Sequence, residues 1–273
     1  MTVFVTLGQS IERHELKYAV PASVVEPICK FIAPYCSLDH YSSLNPDNTY
    51  LVNSLYFDTQ GLEFLKQRLY GKDGRFNVRV RCYGDQGQPP YFLEIKQKLG
   101  VLSKKYRATV DENEWPAILL DPNFRIDEQK PEKERVALER FLRIATAYSV
   151  EPQLLTQYTR RAYFSTVDEY ARVTLDMKMK YRKQNHHSLA PGDDMISYDN
   201  ETIYAKDMYS DGVVILELKS NIGEVPMWMI DLITKFELKQ QGFSKYASSF
   251  LTSHFDDGLQ YMTGDRISSF QSY

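Results

Sequence analysis

The chain has 273 residues, a formal net charge of −3, 43% hydrophobic residues and 25% charged residues. That length suits one large domain or two small ones, and the apolar content suffices for a buried core, which excludes wholesale disorder. A pI near 6.0 argues against a generic nucleic-acid binder, so any basic surface is local and offset by acidic residues elsewhere.

Strand patterns dominate the chain, at 11–19, 50–58, 75–83, 90–98, 103–110, 154–165, 170–181 and 213–220. The N-terminal stretch MTVFVTLGQSIERHE lacks a basic region followed by a long apolar run, so no signal peptide is expected. Helical patterns sit between the strands. PASVVEPICKFIA opens on a proline suited to a first turn, and QGLEFLKQRLYG ends on a stop glycine. EKERVALERFLRIATAY carries apolar residues at helical spacing, and the strand-poor span 111–150 around it reads as a helical insertion. Residues 183–212 are polar and irregular, a long loop or weak hairpin, and VPMWMIDLITKFEL and FSKYASSFLTSHF close the chain. GKDG, GDQGQPP and SDG mark turns. With no evident linker or internal repeat, the chain reads as one domain over 1–273, its core at about 11–254.

Cys29, Cys36 and Cys82 have no CxxC spacing and are odd in number, which suggests reduced thiols in a cytoplasmic setting. No stretch approaches the roughly 18 apolar residues of a membrane span. The 20 Tyr and 14 Phe suit a β-rich protein.

The strands share an unusual feature. In YFLEIKQK, Glu94, Lys96 and Lys98 alternate with Leu93 and Ile95; in RFNVRVRCY, Arg79 and Arg81 alternate with Val78 and Val80. Arg13, Glu15 and Lys17 share a face, as do Ser103, Lys105 and Arg107. Tyr158 and Arg160 alternate with Thr159 and Arg161. Arg172, Thr174, Asp176, Lys178 and Lys180 face away from Val173, Leu175, Met177 and Met179, and Glu217 and Lys219 face away from Leu216 and Leu218. Two architectures fit. One is an antiparallel sheet with its apolar face under helices and its charged face in water. The other is a barrel with its apolar face outward under helices and its charged face lining a tunnel. Most of the striped charges are Lys or Arg, and enclosing them together is reasonable only if they receive a polyanion.

The ordered series RHELKY, SLYFDT, RVRCYG, FLEIKQK, SKKYR, QYTRRAYF, ARVTLDMKMKY, ILELKS and FSKY resembles the polyphosphate polymerase domain of the vacuolar transporter chaperone (VTC) family, within the triphosphate tunnel metalloenzyme (CYTH-like) superfamily. The likeness runs from about Glu12 to Tyr246. It implies an α+β fold: an eight-stranded antiparallel β-barrel, the triphosphate tunnel, with helices packed outside. It implies a substrate of ATP or tripolyphosphate, polyphosphate as product or ligand, and Mn²⁺ or Mg²⁺ as cofactor; the pI and the hydropathy add the expectation of no nucleic acid and no membrane span.

Carried over by position, the family's basic tunnel residues fall on Lys17, Arg79, Arg81, Lys96, Lys105, Arg160, Arg172 and Lys245, its metal-binding glutamate on Glu217, and a phosphate-adjacent tyrosine on Tyr158. Lys219, beside Glu217, joins the substrate-binding set. One departure matters. The small CYTH triphosphatases begin with an ExExK stripe, and here the matching positions read Arg13, Glu15, Lys17, which favours the polymerase branch over a two-metal hydrolytic site.

The chemistry agrees with this resemblance. Guanidinium groups grip phosphate oxygens in pairs and lysines act as point charges. Phosphoryl transfer asks mainly for positioning and charge neutralisation. The leading expectation is therefore ATP-dependent polyphosphate synthesis, with a tripolyphosphate or nucleoside triphosphate hydrolase and a non-catalytic polyphosphate-binding module as alternatives. Glu94 and Asp176 are second-tier carboxylates, for metal or for holding a lysine. Asp58 is expected to cap the helix after it, His186 and His187 to have no metal role, and Cys82 to be a buried thiol.

Overall fold

The computed structural model describes residues 13–99, 102–197, 213–240 and 242–254. The first residues of the expected core and residues 198–212 of the irregular stretch lie outside them.

Ten strands form one antiparallel sheet: β1 (Arg13–Pro21), β2 (Cys36–Leu38), β3 (Tyr50–Asp58), β4 (Arg75–Tyr83), β5 (Tyr91–Leu99), β6 (Leu102–Val110), β7 (Glu151–Ser165), β8 (Ala171–Lys183), β9 (Ile196–Ser197) and β10 (Val213–Asn221). The main path is β1-β10-β8-β7-β3-β4-β5-β6, with β2 on β7 and β9 on β8. These eight path strands match the eight strand patterns read from the sequence, and seven of them carry the charged alternation. The sheet curls into a half-barrel. Among the described residues no backbone ladder joins β6 to β1, and a side-chain pair, Lys96 on β5 with Glu15 on β1, spans that opening.

The alternation places apolar residues on the outer face, where two helical layers cover them. Helix α5 (Glu132–Tyr148) starts after Pro131 with Glu132 and Glu134 in its first turn, where carboxylates favour the helix dipole, and stops at left-handed Ser149. It buries Ala137, Leu138, Phe141, Ile144 and Ala145, one stripe at helical spacing. This stripe packs with the short helix α4 (Ala117–Leu120) over Val78, Val80, Leu93, Ile95, Ala108 and Val110. Within the span 111–150, α4 and α5 are the helices that cover the sheet. A second layer, α1 (Val25–Ile32) and α6 (Met227–Lys235), covers Val20, Val173, Leu175, Leu216 and Leu218.

A third cluster lies on the inner face. Helix α7 (Lys245–His254) brings Tyr246, Ala247 and Phe250 against Tyr56, Tyr158, Met179, Tyr181, Val213 and Ile215. Beside it, α3 (Glu63–Leu69) inserts Leu65. One part of the interior is therefore filled, and the charged part stays open next to it. Asp58 fixes both helices. Its carboxylate accepts from the amides of Phe64 and Leu65 (both 2.9 Å) and from the Tyr246 hydroxyl (2.8 Å). The expected cap is present, and it reaches a second helix that the sequence does not announce.

One expectation is corrected. Lys178 and Lys180 do not share the inner face with Arg172, Thr174 and Asp176. The β7–β8 register shifts between Gln157 and Thr159, and Lys178 takes a left-handed φ of 49°. A bulge of this kind sets two residues against one and reverses the side-chain alternation beyond it. Met179 and Tyr181 turn inward and are buried, and both lysines are exposed.

Candidate functional site: a basic interior held by three carboxylates

Cross-strand pairing assembles the inner face. Arg79 lies opposite Tyr56 and Glu94, and Glu94 in turn opposite Arg107. Lys96 pairs with Lys105, Arg160 with Asp176, Lys17 with Glu217, and Glu15 with Lys219. Each partner is on the same face because side chains of directly paired residues stand on one side of the sheet.

Three buried carboxylates organise the cations. The first, Glu94, is 2% exposed. Arg79 donates to it through Nε at 2.8 Å and Nη2 at 2.6 Å; Lys105 Nζ lies at 2.6 Å, Arg107 Nε at 3.6 Å and Arg81 Nη1 at 4.0 Å. Burial alone would raise this carboxyl, but Arg79, Arg81 and Lys105 outweigh burial and hold it well below the ordinary carboxylate range.

The second, Asp176, takes a fork from Arg160 (2.7 and 2.9 Å) and a contact from Lys245 Nζ at 2.5 Å. Burial opposes the charged form here too, and Arg160 and Lys245 more than offset it, so its pKa is lowered. The third, Glu217, has Lys17 Nζ at 3.7 Å and Lys219 Nζ at 3.3 Å. Its charged form is likewise favoured, burial notwithstanding, by Lys219, Lys17 and Lys245.

Tyrosines join the nodes. The Tyr158 hydroxyl accepts from Arg81 Nη2 at 3.1 Å, and its ring carries Lys245 Nζ at 4.5 Å and the Arg160 guanidinium at 5.3 Å. Tyr56 accepts from Arg79 Nη1 at 3.3 Å and stacks on Tyr246. Among the residues singled out in the sequence, Lys17, Arg79, Arg81, Lys96, Lys105, Tyr158, Arg160, Glu217, Lys219 and Lys245 are brought into this connected interior. Arg172 stands opposite Lys219 and is held by a different carboxylate. Its Nη2 donates to Asp39 at 3.1 Å, the same carboxylate oxygen that accepts from Tyr50. Its guanidinium sits 4.7 Å from the Phe164 ring centroid.

Sequence reasoning did not nominate Arg107, although it shares a stripe with Lys105. Arg107 lies on Glu94 and stacks 3.8 Å from the centre of the Phe92 ring. Asp39 carries no strand-face signal, because it comes from the turn before α2 (His40–Ser43), whereas Tyr50 opens β3 opposite Arg160.

The interior is strongly cationic. Lys17, Arg79, Arg81, Lys96, Lys105, Arg107, Arg160, Lys219 and Lys245 face Glu15, Glu94, Asp176 and Glu217, nine positive groups against four negative, an excess of five. The lysines register this crowding. Burial pushes Lys17 down to about 8, with Lys245, Lys96 and Arg68 adding to the effect and Glu217 opposing it. Lys105 is pushed down to about 7 by burial, then by Arg79 and Arg81, against Glu94. Its side chain keeps 47% of its surface open to solvent, which screens these effects in part.

The donor set fits a divalent cation in one particular way. Among the described residues no group of three or more His, Cys, Asp or Glu comes together. Glu217 offers one buried carboxylate, and Glu15 stands near it across Lys219, 3.6 Å from that ammonium. One or two carboxylates suit Mg²⁺ or Mn²⁺ that keeps its waters and takes its other ligands from phosphate oxygens; they do not make an all-protein cage. His187 packs against Trp115 and Phe57, and His186 contacts Gln184, so neither is near these carboxylates' partners. Cys82 is fully buried, and that burial raises its thiol to about 12.

Residues 12–254 match the VTC domain. A curated relative, vacuolar transporter chaperone complex subunit 4 of Schizosaccharomyces pombe, is 25% identical over 230 residues, covering 75% of this chain and 32% of that protein. Among solved structures, a Bacillus halodurans protein described as a candidate adenylate cyclase is similar at 13% identity with a TM-score of 0.46, covering 88% of this chain and 98% of that one. A Hippeastrum protein reported to have a dominant triphosphatase activity is similar at 13% identity with a TM-score of 0.44, covering 88% and 96%. With the family match running through β1 to α7, the chain belongs to the VTC domain family.

Proposed function

We propose that this protein transfers the γ-phosphoryl group of ATP to a growing polyphosphate chain inside the basic interior. The observation that carries the reading is the excess of five positive charges on the inner face of the curled sheet, which an apolar or neutral ligand would leave uncompensated. The family membership and the name of the S. pombe relative, of which this chain spans about a third, support the same reading.

In this mechanism the triphosphate enters the space between the carboxylate nodes. Its oxygens take over the donors of Arg79, Arg81 and Arg160, whose planar forks match phosphate geometry. Lys17, Lys96, Lys105, Lys219 and Lys245 supply the remaining charge. An oxygen of inorganic phosphate or of a polyphosphate end attacks the γ-phosphorus, the bond to the β-bridging oxygen breaks, and ADP leaves. A phosphate nucleophile is already anionic, so no general base is required. This agrees with the engagement of Glu94 and Asp176 by cations, which leaves neither free to take a proton from water. Glu217, with Glu15 beside it, would hold Mg²⁺ or Mn²⁺, which supplies further neutralisation of the developing charge on the transferring group. Arg172, opposite Lys219, would add a further guanidinium beside the chain. The three free, buried cysteines support a reducing, cytoplasmic setting.

Incubation with ATP and Mn²⁺, followed by phosphorus NMR and gel analysis, tests the proposal. Long polymer with stoichiometric ADP is the expected result. ADP with free phosphate and no polymer would make the interior a hydrolase site, and unchanged ATP with retained polyphosphate binding would make it a binding module.

A further inference from the structure

At one end of the inner face, α2 and the neighbouring strands β3 to β6 bring together a band of aromatic rings that phosphate chemistry does not use. Tyr41 comes from α2, Tyr50 opens β3, Tyr83 closes β4 and Phe92 stands at the start of β5. The Tyr41 ring centroid lies 4.9 Å from that of Tyr83 and 5.5 Å from that of Tyr50. Tyr50 and Tyr83 are 5.6 Å apart, and Tyr83 and Phe92 5.4 Å. Arg107 completes the band. Its guanidinium lies 3.8 Å from the centre of the Phe92 ring, and its Nη2 donates to the Tyr83 hydroxyl at 3.3 Å.

Core packing accounts for only part of this band. Tyr50 and Phe92 are each 9% exposed, whereas Tyr41 is 41% exposed and the Arg107 side chain keeps 38% of its surface open. Tyr41 is nonetheless held in place. Asp39 caps its helix by accepting from the Ser42 amide at 2.8 Å, and the other oxygen of that carboxylate accepts from Tyr50 and from Arg172. An open ring fixed beside other rings and a guanidinium is a surface for a planar ligand. The ring face supplies stacking, and the guanidinium plane adds a cation–π contact.

The place of the band in the sheet says what such a ligand carries. Tyr83 continues the inner row of Arg79 and Arg81 on β4, Arg107 continues that of Lys105 on β6, and Tyr50 is paired with Arg160. A flat ring laid on Tyr41 and Tyr83 thus has the cations of the interior in the next row. A base that bears phosphates matches both parts. Inorganic polyphosphate, which has no ring, leaves the band unused.

We propose that Tyr41, Tyr83 and Arg107 form a stacking platform that takes the heterocyclic base of a nucleotide whose phosphates occupy the basic interior. The identity of those phosphates rests on the proposed function. Stacking reads the face of a base and not its edge, so the platform accepts adenine and guanine alike. It gives the protein a means of telling a nucleotide donor from the polymer.

Titration calorimetry without metal tests this, with the β,γ-imido analogue of ATP and tripolyphosphate as separate probes against wild type, Tyr41→Ala and Tyr41→Phe. Tyr41→Ala should weaken the nucleotide about tenfold and tripolyphosphate less than about twofold, because only the nucleotide carries a ring to stack. Tyr41→Phe keeps the ring face and should recover most of the nucleotide affinity. In wild type, the β,γ-imido analogue of GTP should bind within about threefold of the ATP analogue. Thermal melting of each variant separates a folding defect from a binding one. Undiminished nucleotide affinity in folded Tyr41→Ala, or an equal loss for both probes, would overturn the platform, and polymer synthesis by the wild type would leave the proposed function standing. A selective loss of nucleotide affinity in Tyr41→Ala, with a wild type that hydrolyses ATP and makes no polymer, would sustain the platform and overturn the polymerase.

Discussion

Lys96 Nζ on β5 lies 2.5 Å from Glu15 Oε2 on β1, an ion pair between two strands that are not neighbours in the sheet. The same Glu15 lies 3.6 Å from Lys219, so one carboxylate ties the two sides of the curled sheet. Burial would raise its pKa, but Lys219 and Lys96 outweigh burial and lower it. The Lys96 side chain is 44% exposed, and pairs this open contribute less than about 1 kcal/mol. Glu15→Gln should therefore leave the melting temperature within a few degrees of wild type. It should also free two lysines and tighten tripolyphosphate binding, as read by calorimetry. A large loss of stability would mean that this pair, more than the helical layers, holds the curl.

Glu94→Gln is expected to behave differently. Glu94 is buried under four cations, and its loss leaves them facing one another. We expect a loss of about 1–3 kcal/mol in stability without ligand, of the order seen when a buried charged hydrogen-bond partner is removed. Added tripolyphosphate should restore much of it, because its oxygens replace the missing carboxylate. The pH dependence has a definite sign. The folded pKa lies below the ordinary glutamate value of 4.5, so the contribution of Glu94 is present above that value and is lost as pH falls through the lower folded pKa. Acid melts of wild type and Glu94→Gln should converge at low pH; parallel curves throughout would contradict the assignment.

Lys105 gives the binding its own pH dependence. With its pKa lowered toward 7 in the free protein, it is partly neutral at pH 8 and is recharged when a polyanion binds beside it. Tripolyphosphate binding at pH 8 should then be accompanied by proton uptake, measured by calorimetry in buffers of different ionisation enthalpy. Lys105→Arg stays charged across this range and should lose that component, leaving only the ligand's own titration. Equal uptake in both proteins would assign the protons elsewhere.

The hydroxyl of Tyr246 links the basic interior to α3 through Asp58. Tyr246→Phe removes a buried 2.8 Å hydrogen bond and leaves Asp58 its bonds to α3. A loss of about 1–2 kcal/mol in stability is expected. Because Lys245 is the preceding residue, a several-fold loss of tripolyphosphate affinity should accompany it. Lost stability with unchanged affinity would mean that α7 holds Lys245 in place without this bond.

Much of the site is legible in the sequence because strand periodicity alone sets which side chains share a face. Arg79 and Arg81 opposite Ser54 and Tyr56, or Glu217 opposite Lys17, need only alternation and neighbouring strands. What alternation cannot give is the partner of each cation. Glu94 and Asp176 read as secondary carboxylates, although each is the centre of its own node, because the convergence of three or four donors depends on how far the sheet curls. The reversal at Lys178 was equally hidden, since a bulge leaves the local pattern of apolar and basic residues intact. Arg172 is diverted to Asp39 by a turn far away in sequence. Tyr41 lies on a helix, where a strand-face argument has nothing to say.

The whole account depends on a polyanion filling the interior, so the ionic-strength dependence of binding bears on it. The affinity for a short polyphosphate should fall steadily with added salt as charges are screened and counter-ion release becomes less favourable. A salt-independent affinity would point to a ligand held by other means.

The most direct test concerns Glu217, where the metal and counter-charge roles make opposite demands. Turnover of ATP to polyphosphate and metal-free tripolyphosphate binding should be measured side by side for wild type and Glu217→Gln. If Glu217 anchors the ion, turnover collapses in a folded protein while metal-free binding persists or tightens, because a negative charge beside Lys17 and Lys219 has gone. Retained metal-stimulated turnover in folded Glu217→Gln would contradict the account.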